Sequence, residues 1–77
     1  MKHTFKIITE NKPGVLYRLV NVFYKRKINI SAVHADETKN KNVSIVKITV
    51  GINPEMVEKI KKQTEKIIEV VSVNENL

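Results

Sequence analysis

The stretch Glu10-Asn11-Lys12-Pro13-Gly14-Val15-Leu16 decides the fold, because it joins two segments with different hydrophobic periods through a Pro-Gly turn. Before it, residues 5–9 form a short run rich in aromatic and β-branched side chains, which is typical of a strand. After it, apolar residues recur at helical spacing as far as Phe23. The sequence therefore predicts a first strand, a tight turn and an amphipathic helix.

The first helix is expected to close near Lys27. Its apolar side consists of Val15, Leu16, Leu19, Val20, Val22 and Phe23, and its polar side of Arg18, Asn21, Lys25 and Arg26. No glycine follows the last turn, although glycine is the usual residue for the left-handed conformation that ends a helix. We therefore expect Lys27 or a neighbour to adopt that strained conformation.

Residues 28–35 resume a strand pattern, and residues 36–42 form a polar hairpin tip before the strongly β-prone residues 43–50. Alternation along the first of these strands predicts one buried face. It puts Ile28, Ile30 and Ala32 on one face and Asn29, Ser31 and Val33 on the other. The two strands are expected to pair as a hairpin.

Asn53 followed by Pro54 marks the start of a second helix, because asparagine caps helices well and proline suits the first helical position. Residues 70–73 then form the last strand. The buried stripe predicted for this helix is Met56, Val57, Ile60, Thr64, Ile67 and Ile68.

The element order βαββαβ predicts one α+β domain over residues 1–77, with a ferredoxin-like fold. Right-handed crossovers place both helices on one face of a four-stranded antiparallel sheet. A chain of 77 residues buries only a small core, so self-association is expected. The regular edge strand at residues 28–35 is the predicted seam of a homodimer.

Composition narrows the function classes. The net charge is +6, but the cations are scattered over helix ends, a hairpin tip and a glutamate-containing helix, which favours a basic surface and, after that, an acidic protein partner over nucleic acid. The absence of cysteine excludes disulfides and thiolate chemistry, and His3 and His34 lack companions at metal-ligand spacing. The N-terminus reads as a strand and no apolar run reaches the length of a membrane span. We expect a soluble cytoplasmic protein without a metal or cofactor.

The turn itself suggests a binding site. Free N–H groups at the start of a helix can hold a small carboxylate, and the amide of Asn29 could face that of Asn11. Two polar anchors beside apolar neighbours suggest a pocket for an amino acid. Turn chemistry alone also explains residues 11–14, and a position at the helix exit also explains Asn29.

The whole chain resembles the ACT domain, and within that family the small regulatory subunit of acetolactate synthase. The resemblance is carried by Glu10-Asn11 with Gly14 and Leu16, by Arg18, Phe23 and Arg26, by Asn29-Ile30, by Ile60, Lys62 and Gln63, and by Val70, Val73 and the closing Val-Asn-Glu stretch. It implies side-by-side pairing of two domains into one continuous sheet, with a regulatory amino acid, valine in this subfamily, at the interface.

The resemblance further implies the roles of single residues. Asn11 would contact the ligand, Gly14 with the N–H groups of Val15 and Leu16 would receive its carboxylate, and Asn29 and Ile30 would come from the partner's strand. The implied protein partner is the catalytic large subunit. Long members of the family carry a further C-terminal domain, and short single-domain members can support the catalytic subunit without conferring valine inhibition. We therefore expect this chain to support the catalytic subunit, and we rank inhibition by valine second.

Three function classes compete. An independent enzyme is disfavoured, because the chain has no nucleophile–base pattern, no phosphate-binding glycine loop and a single aspartate. An RNA-binding module has the same element order, but residues 43–50 contain no aromatic residue for base stacking. A regulatory, amino-acid-binding domain fits best, either as the acetolactate synthase subunit or as a free-standing ACT sensor.

Overall fold

The computed structural model describes residues 2–76, which form four strands and two helices. In chain order these are β1 (Lys2–Glu10), α1 (Val15–Tyr24), β2 (Ile30–Glu37), β3 (Val43–Gly51), α2 (Pro54–Glu65) and β4 (Val70–Asn76). The strands form one sheet in the order β2-β3-β1-β4, and each neighbouring pair is antiparallel. The predicted ferredoxin-like βαββαβ fold is confirmed. Neither helix is both long and apolar enough to cross a bilayer.

Side chains alternate strictly along the two central strands. Every second residue of β1, from His3 to Thr9, is buried, and so is every second residue of β3, from Ser44 to Val50. The helices cover this face. The buried hydrophobic core consists of Phe5, Ile7, Val15, Leu19, Phe23, Val46, Ile48, Val50, Ile52, Val57, Ile60 and Val73.

Two aromatic rings link the sheet to α1. The rings of Phe5 on β1 and Phe23 on α1 meet edge to face, with centroids 5.6 Å apart. The buried ring of His3 also packs against Phe5, with ring centroids 5.0 Å apart. The contact between Phe5 and Phe23 packs α1 onto the sheet, and α1 also contacts α2.

The ends of the helices follow from their local sequence. Lys27 has a φ of 56°, which confirms the predicted left-handed residue after α1. The N–H of Ile28 donates to the carbonyl of Phe23 at 3.1 Å, and that of Lys27 to Tyr24 at 3.0 Å, which is the Schellman pattern. At α2, Oδ1 of Asn53 accepts from the N–H of Glu55 at 3.1 Å, which confirms the predicted cap.

The predicted faces of β2 are wrong beyond Ile30. Ile30 lies opposite Val50, but Ala32 lies opposite Thr49, so Ser31 is the extra residue of a bulge. The bulge turns Ala32 onto the open face of the sheet and brings Val33 onto the helix-covered face. The strand also runs from Ile30 to Glu37, two residues later at both ends than predicted.

The buried stripe predicted for α2 is wrong at Ile68. The helix ends at Glu65, so helical spacing no longer governs residues 66–69, and Ile68 is 91% exposed. Val57, Ile60 and Thr64 are buried as predicted, and Met56 and Ile67 are partly buried against the core. The sequence pattern predicts one helical turn too many, because apolar residues continue at helical spacing into the turn before β4.

Candidate functional site

The predicted turn lies at the end of the sheet where β1 and β2 finish. Gly14 has a φ of 83° and sits at the N-cap of α1, and the space where its Cβ would stand is open. A left-handed backbone explains glycine here, and the open space lets another molecule approach the main chain closely. The conformation of Gly14 and the open space beside it make the start of α1 a candidate binding position.

The N–H groups at this helix start are partly free. The N–H of Val15 donates to the carbonyl of Lys12 at 3.3 Å, which closes the turn. Within residues 2–76, the N–H groups of Gly14 and Leu16 have no acceptor. Such groups at the positive end of a helix dipole attract a carboxylate.

Asn11 ties the turn to the hairpin tip instead of pointing freely into solvent. Its N–H donates to the carbonyl of Asn42 at 2.8 Å, and its Nδ2 donates to the carbonyl of Lys41 at 3.1 Å. The side-chain oxygen of Asn11 has no donor among the described residues. The amide is therefore held in one orientation with an acceptor to spare.

A cavity of about 140 Å³ lies beside this turn, between the start of α1 and the helix-covered side of β2 and β3. Its lining residues are Thr9, Asn11, Lys12, Val15, Leu16, Ala35, Ser44 and Val46. Three of the predicted site residues, Asn11, Val15 and Leu16, thus meet at one cavity, and Gly14 adjoins it in the chain. The apolar walls suit a small aliphatic side chain.

Asn29 and Ile30 lie elsewhere in the same chain. They precede and begin β2, whereas the cavity lies at the other end of the strand, near Glu37. A strand of this length separates its two ends by roughly 20 Å. Within one protomer the structure does not bring Asn29 or Ile30 together with Asn11 and Gly14.

Sequence reasoning missed five lining residues, namely Thr9, Lys12, Ala35, Ser44 and Val46. Thr9 and Ser44 are polar residues at buried positions of strands whose other buried residues, His3 apart, are apolar, and this is the signal that could have revealed them. The hydroxyl of Thr9 donates to the carbonyl of Glu69 at 2.9 Å, whereas Ser44 makes no side-chain hydrogen bond within residues 2–76. Ala35 was unpredictable because the bulge at Ser31 reversed its face.

The principal ion pair joins α1 to the turn before β4. Nη2 of Arg18 lies 2.6 Å from Oε2 of Glu69. The hydrogen bond from the Arg18 guanidinium holds the pKa of the Glu69 carboxyl below its usual value. The more exposed pair of Lys12 and Glu10, with Nζ and Oε1 3.2 Å apart, lies on the turn itself.

The sequence that forms this turn and cavity matches the model of a known protein family. The model described as the AHAS small subunit-like ACT domain matches residues 5–72. The chain belongs to this ACT family. Gly14 and the other residues of the turn, as well as the cavity, lie within the matched ACT region.

Relatives agree with this assignment. The probable acetolactate synthase small subunit of Archaeoglobus fulgidus is 39% identical over 75 residues, which are 97% of the chain and 47% of that protein. The acetolactate synthase small subunit of Mycolicibacterium smegmatis is 36% identical over 73 residues, which are 95% of the chain and 43% of that protein. The chain therefore spans about half the length of these relatives.

Solved structures show the same ACT fold. The crystal structure of the acetolactate synthase small subunit from Thermotoga maritima matches with a TM-score of 0.87 and 33% identity, covering 97% of the chain and 47% of that protein. The ACT domain of a GTP pyrophosphokinase from Chlorobium tepidum matches with a TM-score of 0.84 at 16% identity, covering 99% and 97%. This second likeness supports the fold alone.

Proposed function

We propose that this ACT domain acts in the cytoplasm as the amino-acid-binding regulatory part of acetolactate synthase. In this role it forms a homodimer through β2 and supports a catalytic large subunit without catalysing a reaction itself. The family match and the names of the relatives support the regulatory role. The observation that carries the binding role is the cavity at the start of α1, which adjoins the unpaired edge strand β2.

Antiparallel pairing of two β2 strands would complete this site. In such a pair the beginning of the partner's strand lies beside the end of the first strand. Asn29 and Ile30 of one protomer would then approach Asn11 and Leu16 of the other. The separation of these residues within one chain is what a site shared between two protomers requires.

The side of α1 that faces away from α2 also supports pairing. Tyr17, Val20, Asn21 and Tyr24 form an outer stripe at i, i+3, i+4 and i+7, over an open groove of about 380 Å³. Tyr17 and Tyr24 are 75% and 74% exposed. Leu16, beside this stripe, shares the smaller cavity with Ala35 of β2. A second copy at β2 would cover exposed apolar groups on both elements.

Valine is the proposed ligand, because each part of it has a counterpart. The carboxylate would accept from the N–H groups of Gly14 and Leu16 at the helix start. The ammonium group would donate to the free side-chain oxygen of Asn11. The isopropyl group would pack on Val15, Leu16 and Val46 in the cavity.

Calorimetry with valine and other amino acids tests the site directly. Gly14→Asp should abolish binding, since its carboxylate occupies the place of the ligand's carboxylate and repels it. Gly14→Asn is the matched control, because asparagine has nearly the same shape, tolerates a positive φ and carries no charge. We expect Gly14→Asn to retain measurable but weakened binding. Equal binding by wild type and Gly14→Asp would place the pocket elsewhere.

A second experiment tests the regulatory role. The purified chain and a catalytic subunit of acetolactate synthase are mixed at increasing ratios while acetolactate formation is followed. We expect no activity from the chain alone and higher activity or stability of the catalytic subunit in the mixture. Amino-acid binding without any effect on the catalytic subunit would instead indicate a free-standing ACT sensor.

A further inference from the structure

The groove between the two helices carries a concentration of positive charge. It has a volume of about 280 Å³, and its lining residues are Arg18, Asn21 and Val22 of α1, Lys25 and Arg26 directly after that helix, Gln63 of α2, and Ile67 after α2. We call it the interhelical groove. No acidic residue is among its described lining residues.

Arg18, one of the residues that line the groove, already has a carboxylate partner in this chain. Glu69 meets Arg18 at 2.6 Å, a short charge-assisted contact, and its side chain is 18% exposed. Lys25 and Arg26 have no acidic partner within residues 2–76. Arg26 uses one Nη1 bond, 3.2 Å to the carbonyl of Val22, and has further donors available.

The interhelical groove stays open in the proposed homodimer. It lies on the side of α1 that faces α2, whereas β2 lies on the other side of that helix, and Asn21 is the one residue that lines both the groove and the outer stripe. A second copy at β2 that also covers the outer stripe would therefore meet the groove only at Asn21, and the charged lining residues stay accessible. Lys25 and Arg26 near the end of α1 are also explained by the favourable effect of cations at a helix C-terminus. That effect does not explain why these cations line a groove or why no acidic residue lies among its lining residues.

We infer that the interhelical groove docks an acidic segment of the catalytic subunit, an inference that rests on the proposed function. The segment presents carboxylates to Lys25 and Arg26, while Ile67 and Gln63 contact its apolar and amide groups. Arg18 stays paired with Glu69, so Lys25 and Arg26 are the two cations of the groove that the carboxylates of the segment reach.

Binding of the full chain to the purified catalytic subunit, measured by biolayer interferometry at low and high salt, tests the inference. Lys25→Glu should weaken binding about tenfold at low salt and reduce the salt dependence. Lys39→Glu is the matched control, since it makes the same charge reversal at an exposed position of the hairpin tip. It should bind as wild type does. Thermal unfolding and sedimentation verify that both variants fold and dimerise.

The outcomes separate the two proposals. Equal binding by Lys25→Glu and wild type overturns the docking site while leaving the regulatory role intact, and equal weakening by both variants does the same. Failure of the wild type itself to bind the catalytic subunit contradicts the proposed function, and the docking site with it. Binding of a uridylate homopolymer that depends on Lys25, without binding of the subunit, would assign the groove to RNA.

Discussion

Lys27 is the one non-glycine residue with a positive φ among residues 2–76, and its backbone carries strain that glycine would relieve. Lys27→Gly should raise the free energy of unfolding by roughly 1 kcal/mol, the relief being partly offset by a more flexible unfolded chain. Urea denaturation at fixed protein concentration measures it. Lys25→Gly is the control, because φ there is −59° and glycine should destabilise by about 0.5–1 kcal/mol. Equal effects at both positions would contradict the argument.

The ion pair of Arg18 and Glu69 makes stability depend on pH. The pKa of Glu69 is lowered in the folded state, first by its hydrogen bond to Arg18. The pair therefore stabilises the fold above the carboxyl's usual pKa of 4.5, and this contribution is lost as the pH falls through the lower folded value. Arg18→Gln should flatten the fall in melting temperature below that pH, whereas Lys12→Gln, on an exposed pair, should change it little.

Among the secondary-structure elements, β2 shows where local sequence ceases to determine structure. Strict alternation is visible in β1 and β3, and so their faces and the antiparallel sheet follow from the sequence. A bulge depends on pairing with a distant strand, and nothing at Ser31 announces it. The same bulge places Ala35 at the cavity. The predicted site residues that line the cavity, Asn11, Val15 and Leu16, all lie in the turn and at the start of α1, and the lining residues of the sheet were not predicted.

The bulge also selects the residue that best tests pairing through β2. Val33, on the helix-covered face and 38% exposed, would become buried at a seam between two copies. Val33→Lys should weaken the dimer by on the order of 3 kcal/mol, or about a hundredfold, since it buries an unpaired charge. His34→Lys carries the control charge on the opposite face. Sedimentation equilibrium over a concentration series measures both, and an unchanged Val33→Lys dimer would exclude this seam.

At the scale of the whole molecule, the small core and the unpaired edge strand β2 both leave apolar surface exposed to solvent. A domain of 77 residues buries a limited share of its surface, and Tyr17, Tyr24 and Val33 remain exposed in the isolated chain. Composition predicted this shortage, and the resemblance supplied the pairing mode. In the proposed shared site, the division of residues between two chains follows from the distance between the two ends of β2, which local sequence does not show.

The distance between the two ends of β2 allows a complementation experiment with two variants. If Gly14 of one chain and Asn29 of the other form each site, two defective variants should complement one another. Gly14→Asp should not bind valine, and Asn29→Ala should bind it more weakly by roughly 1–2 kcal/mol. An equilibrated equal mixture contains mixed dimers in which one site carries both defects and the other carries neither. Calorimetry should then recover wild-type affinity at about one quarter of all sites. Two residues acting within a single chain would recover none.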